Sequence, residues 1–244
     1  MPSVRWAREL ADLVALEASL TWTRLLLWLN VLVLVPLALS AYPASPELLD
    51  PAARLRSLGA VRVAAVISSQ AFHVLVAVTC SISWARALER GVLRNVLTLP
   101  VSRRSAFAAK FLTSVSIPTA AYVGAHALAQ LYTLPSVGPA DVAVMALVVL
   151  LRAAFLGSLS TLAALLVKDS VSSLFLSVAL AELVDHVGEE FDLKWLGRDY
   201  YDLALSSIYS ADAAGAATAV LPMLAASLAA LAASLAYFSR MDLD

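Results

Sequence analysis

The sequence predicts an all-α membrane protein in which six transmembrane helices follow one amphipathic helix at the membrane surface. Its 244 residues are 61% hydrophobic and 14% charged, and the mean hydropathy is +0.83. The apolar residues come in long blocks, close to the roughly 20 residues that a helix needs to cross the hydrocarbon core. A soluble core of this length could not bury so much apolar surface. We therefore expect a single transmembrane domain over residues 1–244.

An amphipathic pattern precedes the first span. Over residues 4–19, Leu10, Leu13 and Val14 share an apolar stripe, and most of the charged residues lie on the opposite side. This pattern is typical of an interfacial helix that lies on the membrane; a solvated start to the first span is the alternative. The six spans are predicted at residues 22–41, 61–87, 106–134, 142–167, 171–187 and 213–238.

The loop between spans two and three has a pattern of its own. Residues 88–110 read LERGVLRNVLTLPVSRRSAFAAK and carry five positive charges. Helical spacing collects the apolar residues on one face, with Arg94 on the other. The apolar face comprises Val92, Leu93, Val96 and Leu97. Pro100 ends the helix because it lacks a backbone donor and clashes with the preceding turn. A short helix over residues 88–100 is therefore predicted at the membrane surface.

The distribution of Lys and Arg predicts the orientation of the spans. With six spans, both termini lie on the same side of the membrane as loop 88–110. That side holds eleven of the 17 basic residues, and the opposite loops hold five. Basic loops are retained in the cytoplasm, so both termini and this loop are expected there, with the protein in the cell membrane.

Loop 88–110 and its setting resemble the six-span permeases of the type-2 ABC exporter family. In that family an interfacial helix precedes the first span, and this loop carries an acid, a glycine, a leucine-rich turn, Pro-Val-Ser-Arg and a lysine before apolar residues. The matching positions are Glu89, Gly91, Leu97, Pro100-Val101-Ser102-Arg103 and Lys110-Phe111-Leu112. Val92 and Arg94 depart from the pattern, since Thr and Glu are common there. The layout is similar along the whole chain, whereas the sharp motif is confined to this loop.

The resemblance implies the permease subunit of an ATP-driven exporter. In that case residues 88–100 form a coupling helix that docks on a separate ATP-binding subunit. Its expected contact residues are Glu89, Gly91, Val92, Leu93, Arg94, Val96, Leu97 and Pro100. The chain contains no G-x-x-x-x-G-K-[ST] phosphate loop, so ATP and Mg²⁺ are expected on the partner, and no cofactor, metal or catalytic site is expected here. The other expected partners are a second permease chain and the lipid bilayer, not nucleic acid.

Three polar residues inside the spans are candidates for the substrate pathway. Gln70 and His73 lie three residues apart on span two and are expected to share a face; a buried, satisfied pair is the alternative. A charge within a span is costly and usually faces a partner or a water-filled cavity, so Arg152 is expected to pair with an acid such as Glu182 or to line the pathway.

Small residues at four-residue spacing predict close helix contacts on two spans. They are Ala153, Gly157 and Thr161 on span four, and Ala225, Ala229 and Ala233 on span six.

Acidic residues near the end of span five allow other interpretations of the protein's function. Glu182, Asp185, His186 and Glu189 lie on one helical face, which indicates either a cation site or the solvated end of a span. Glu189-Glu190 followed by Lys194, with histidines in other spans, is faintly similar to the glutamate-based intramembrane proteases, which carry Arg where Lys194 stands. The alternative functions are therefore an intramembrane hydrolase or a membrane assembly factor without transport activity.

Overall fold

The computed structural model describes residues 2–41, 52–99, 101–133 and 137–241, and every regular element in these ranges is an α-helix. The helices are α1 (Pro2–Ser19), α2 (Thr21–Ala41), α3 (Ala52–Glu89), α4 (Val92–Leu97), α5 (Arg103–Thr133), α6 (Pro139–Val167), α7 (Ser170–Glu190), α8 (Tyr200–Tyr209) and α9 (Ala213–Arg240). Each predicted span coincides with one long helix, apart from residue 134, which lies outside the described ranges.

Five of the long helices are long and apolar enough to cross a membrane. They are Thr23–Ala41, Leu58–Glu89, Pro139–Val167, Ser170–Glu190 and Ala213–Arg240. The chain is therefore a multi-pass, all-α membrane protein, and the predicted class is confirmed at this level. α5 is 31 residues long but less apolar, because hydroxyl, imidazole and amide side chains recur along it.

The long helices alternate in direction, which gives the bundle two distinct ends. One end carries α1, α4 and the turn between α6 and α7, and we call it the α4 end. There Glu89 bonds to Ser170, and Arg103 bonds to the carbonyl oxygen of Met241. The opposite end, the α8 end, carries α8, where Arg62 lies 2.9 Å from Asp202.

α3 and α6 form the centre of the bundle. α3 contacts α2, α5, α6, α7 and α8, and α6 contacts α3, α5, α7, α8 and α9. At the crossing of α3, α5 and α6, a Cβ placed on Gly157 would lie 2.7 Å from Val115 Cγ2 and 3.2 Å from Cys80 Sγ. Gly157 therefore permits this close approach. Ala153 and Thr161 are buried beside it, so the predicted contact face of α6 is confirmed.

The predicted contact face of α9 is wrong within this chain. Ala225, Ala229 and Ala233 are exposed. The buried line comprises Ala219, Met223, Ser227, Ser234 and Phe238. Two serines decide the rotation of the helix: Ser227 Oγ donates to Leu151 O at 3.2 Å, and Ser234 Oγ donates to Ser158 O at 3.0 Å. A serine hydroxyl that faces α6 can donate to a backbone carbonyl of that helix, whereas an alanine has no polar group that needs a partner and can face lipid.

The apolar stripe of α1 covers protein rather than the lipid that the sequence suggested. Leu10, Leu13 and Val14 pack against residues of α4 and α5. Next to them, Glu17 Oε2 accepts a hydrogen bond from Lys110 Nζ at 2.9 Å, and both side chains are buried. α1 is therefore held against the rest of the chain by apolar packing and a buried ion pair.

Candidate functional site

The short helix α4 occupies the corner between α3 and α5, where the sequence predicts the coupling helix. It covers only Val92–Leu97, because α3 continues to Glu89. Gly91 separates the two helices with a φ of 64°, in the left-handed region that favours glycine. After the helix, Thr98 Oγ1 donates to Asn95 O at 2.7 Å. Pro100 lies outside the described residues.

The apolar face of α4 points into the chain. Leu93 is 1% exposed and Val96 is 7% exposed, and Val92 and Leu97 are half-buried. Val96, Val92 and Leu97 pack in a cluster with Leu13 of α1, and Leu93 packs in the main core of the bundle. Sequence reasoning expected this face to meet a partner, but other residues of the chain cover it.

The exposed side of α4 carries a different set of residues, which we call the α4 surface. It comprises Arg94, Asn95, Thr98 and Leu99. Leu99 is 49% exposed. Arg94, one of the two residues that depart from the exporter pattern, is exposed on this surface. The α4 surface thus exposes both a charged side chain, Arg94, and an apolar one, Leu99, at the α4 end.

Glu89 joins α3 to the turn between α6 and α7. Its Oε1 accepts the backbone N–H of Ser170 at 2.6 Å, and its Oε2 accepts the Ser170 hydroxyl at 3.1 Å. Asp169 caps the start of α7 by accepting the N–H of Ser172 at 2.6 Å. The hydrogen bonds from Ser172 hold the pKa of Asp169 below its usual value. Two carboxylates therefore satisfy the first N–H groups of α7.

A buried ion cluster joins α3, α6 and α7 in the interior of the bundle. Arg152 Nη2 donates to Asp185 Oδ1, and Asp185 Oδ2 lies 2.9 Å from His73 Nδ1. A carboxylate only accepts, so Nδ1 of His73 carries the proton and Nε2 is an acceptor. Arg152 Nε lies 3.4 Å from that Nε2, which fits this tautomer. The hydrogen bonds among these three side chains compensate for the hydrogen bonds to water that the charged groups lose on burial.

The segment of residues 191–212, which we call the α8 cap, lies over this cluster. Arg152 Nη1 donates to Leu196 O at 2.6 Å, and the hydroxyl of Tyr201 lies 3.3 Å from His73 Nε2. Burial raises the pKa of Tyr201, so its phenol stays neutral and donates to the imidazole. The Tyr200 hydroxyl donates to Val148 O at 3.2 Å. Groups of the two long helices α3 and α6 thus hold the cap.

Two glycines bring the backbone of the cap against α7. A Cβ on Gly188 would collide with the backbone nitrogen and Cα of Gly197. Leu193 N–H donates to Gly188 O at 2.8 Å, and Gly197 N–H donates to Leu193 O at 3.1 Å. This direct approach places Leu196 O where Arg152 can reach it.

The structure separates the residues predicted for the substrate pathway. Gln70 is exposed, whereas His73 is 1% exposed and belongs to the ion cluster. The expectation that they share a face is wrong. Arg152 is buried and pairs with Asp185, not with Glu182. The sequence contains a signal for this partner: Ser173, Ser177 and Ala181 precede Asp185 at four-residue spacing and mark the packed face of α7.

The acidic face of α7 contacts an arginine of the cap. Arg198 lies 3.4 Å from Glu182 and 3.5 Å from Glu189, and His186 is exposed. In the part of the chain that the structure describes, no group of three or more His, Cys, Asp and Glu residues converges as metal ligands would. Glu190 is exposed at the end of α7, and Lys194 is exposed within the cap.

A second buried polar cluster, which sequence reasoning missed, joins α3 to α5. Ser68 Oγ lies 2.7 Å from the Tyr122 hydroxyl and 3.0 Å from His126 Nε2. A serine next to a histidine is an arrangement that nucleophilic catalysis uses. Here the Ser68 hydroxyl also donates to Ala64 O at 2.7 Å, and the side chains of Ser68 and His126 are both buried. The contact between Ser68 and His126 therefore links α3 to α5.

No model of a known protein family matches the chain, and no curated protein matches it.

Proposed function

We propose that the chain is the transmembrane permease subunit of an ABC exporter in the cell membrane. A separate subunit binds ATP and Mg²⁺, and two permease chains form the transport pathway. The single observation that carries the proposal is α4, a short helix that presents a charged and apolar surface at one end of the bundle. Its position and the motif around it resemble the coupling helix of type-2 ABC exporter permeases.

The proposal is supported by the way in which α4 is tied to the long helices. It follows α3 and precedes α5 directly, and its inner face packs on α1 and α5. Next to it, Glu89 reaches α7, and Arg103 Nη1 donates to the Ser239 and Met241 carbonyls at the end of α9. A displacement of α4 therefore acts on several long helices at once. Coupling further requires that the ATP-binding subunit bind the two transport states with different affinity.

We propose that α5 is the sixth span. Its neighbours are α1, α2, α3, α4, α6 and α9. Its polar side chains have partners on these helices: Ser114 Oγ donates to Ser83 Oγ at 3.1 Å, and His126 lies 3.0 Å from Ser68. Polar groups that face other helices lower hydropathy without facing lipid. The alternating direction of the long helices also fits a crossing by α5.

In the proposed orientation the α4 end faces the cytoplasm. This end carries Arg90, Arg94, Arg103 and Arg104 within a short stretch. The positive-inside tendency retains such loops in the cytoplasm. Both termini then lie in the cytoplasm, and the α8 cap lies outside.

Co-purification with an ATP-binding subunit tests the proposal. Replacing Arg94 with Glu and Leu99 with Asp changes only the α4 surface, so the ATP-hydrolysing subunit should be lost while the permease stays monodisperse. Arg8→Glu is the matched control, since Arg8 is exposed on α1 at the same end. Equal recovery of ATP hydrolysis from the α4 variant and the control would refute docking on this surface.

A further inference from the structure

A cavity of about 630 Å³ lies at the α4 end, beside the end of α9. Its lining comprises Lys168, Ala233, Ala236, Tyr237, Arg240 and Met241. The volume falls within the roughly 300–1,000 Å³ of small-ligand sites. We propose that this cavity binds the phosphate headgroup of an anionic phospholipid, with the lipid chains along the exposed alanine face of α9. The proposal is independent of the transport function.

The charge of the cavity favours an anion. Lys168 and Arg240 are its charged lining residues among those that the structure describes. The nearby acids are engaged elsewhere: Glu89 accepts both hydrogen bonds from Ser170, and Asp169 accepts the N–H of Ser172. Arg103 already donates to the last carbonyls of α9, so Arg240 is not required to satisfy them. Two cations therefore face the cavity, and no carboxylate belongs to the part of its lining that the structure describes.

The backbone at Lys168 is a second, independent observation. Lys168 ends α6 with a φ of 63°, and its N–H donates to Ala164 O. This left-handed position is the one at which glycine commonly ends a helix, and a side chain there is strained. A lysine at this strained position is consistent with a use for its charge. The charge also complements the dipole of α6, so an experiment must separate the two roles.

The shape of the cavity favours a lipid over a free phosphate. Ala233 and Ala236 belong to a helix that is apolar enough to cross the membrane, and Ala225 and Ala229 continue the exposed face along it. Tyr237, 36% exposed, also belongs to the lining, and an aromatic ring with a polar tip suits the membrane interface. The lining thus combines apolar side chains with two cations, as a phospholipid requires. Basic sites between helices on the cytoplasmic side bind anionic headgroups in this manner.

Native mass spectrometry of the purified chain tests the proposal with phosphatidylglycerol and phosphatidylcholine as probes. We expect phosphatidylglycerol to bind about thirtyfold more tightly, roughly fivefold for each cation. The double variant Lys168→Gly, Arg240→Gln should lose this preference. Glycine suits the left-handed backbone, so this variant keeps the helix end while removing the charge. The matched control, Arg8→Gln with Arg104→Gln, removes two exposed charges from the same end and should keep the preference.

Four results would overturn the proposal. The first is an unchanged preference for phosphatidylglycerol in the Lys168→Gly, Arg240→Gln variant, and the second is an equal loss in the control. The third is protection from thermal unfolding by inorganic phosphate alone to the extent given by phosphatidylglycerol, since that would assign the cavity to a free phosphate. Asp242→Asn with Asp244→Asn should leave phosphatidylglycerol binding equal or tighter, and weaker binding would also contradict the assignment.

Discussion

Arg152 of α6 donates a hydrogen bond to Asp185 of α7 in the interior of the bundle, where neither side chain is more than 1% exposed. A charge at this depth is tolerated only with a partner. Asp185 also contacts His73 of α3, and Arg152 also reaches the α8 cap, so this one pair joins four parts of the chain. Loss of this pair should therefore weaken the contacts to α3 and to the α8 cap as well as the contact between α6 and α7.

Asp185→Ala should destabilise the protein by about 3 kcal/mol or more, because Arg152 then stays buried without its counter-ion. Thermal unfolding in detergent measures the effect. Glu190→Ala, at the exposed end of the same helix, is the control and should change stability little. If Arg152→Met combined with Asp185→Leu is no more stable than Asp185→Ala, the explanation by an unpaired charge is wrong.

Glu17→Ala should release α1 from α5. The substitution leaves the ammonium of Lys110 buried without its carboxylate, at a cost of about 3 kcal/mol or more. Trypsin should then cleave after Arg8 several times faster than in the wild type. Asp12→Ala, on the exposed side of α1, should leave the rate unchanged. Equal cleavage of the two variants would show that the ion pair does not hold the helix.

Gly188→Ala should displace the α8 cap, because the added methyl group collides with the backbone of Gly197. We expect a loss of about 1–3 kcal/mol in stability, typical of overpacking. Gly124→Ala is the matched control, since a Cβ there meets nothing within 4 Å. Alanine within a helix should be neutral or should stabilise by about 0.5–1 kcal/mol. The same melting temperature for both variants would contradict the close contact.

Cysteine labelling tests the proposed orientation. Cys80 is the only cysteine and is buried, so Cys80→Ala gives a background without reactive thiols. In intact cells, a membrane-impermeant maleimide should label Lys194→Cys but not Arg94→Cys, and permeabilisation should make Arg94→Cys reactive. The reverse pattern would place the α4 end outside the cell and would remove α4 from reach of any cytoplasmic ATP-binding subunit.

Periodicity predicted the long helices well, but it did not predict how each one is rotated. Both α6 and α9 carry small residues at four-residue spacing, and only α6 packs them inward. On α9 the hydroxyls of Ser227 and Ser234 require carbonyl partners on α6, and these partners are known only once the helices are assembled. A sequence pattern records the spacing of side chains on one helix, not the acceptors on its neighbour.

The short helix α4, which the sequence predicts as a coupling helix, illustrates the same difference. Its location follows from Gly91 and the apolar run that comes after it, and the structure has a helix there. Which face remains available was not predictable, because Val96 packs in a cluster with Leu13, more than 70 residues earlier in the chain, and Leu93 packs in the main core of the bundle. Likewise, the choice of Asp185 over Glu182 as the partner of Arg152 depends on how α7 is rotated against α3 and α6.

The ion pair between Glu17 and Lys110 also fixes an order of events during synthesis. The two residues are 93 positions apart, so at about 5–20 residues per second the ribosome needs roughly 5–20 s to make the second after the first. During that interval α1 lacks both the lysine that pairs with its glutamate and the α5 residues that cover its apolar stripe. α1 can therefore reach its packed position only after the first turns of α5 have been made.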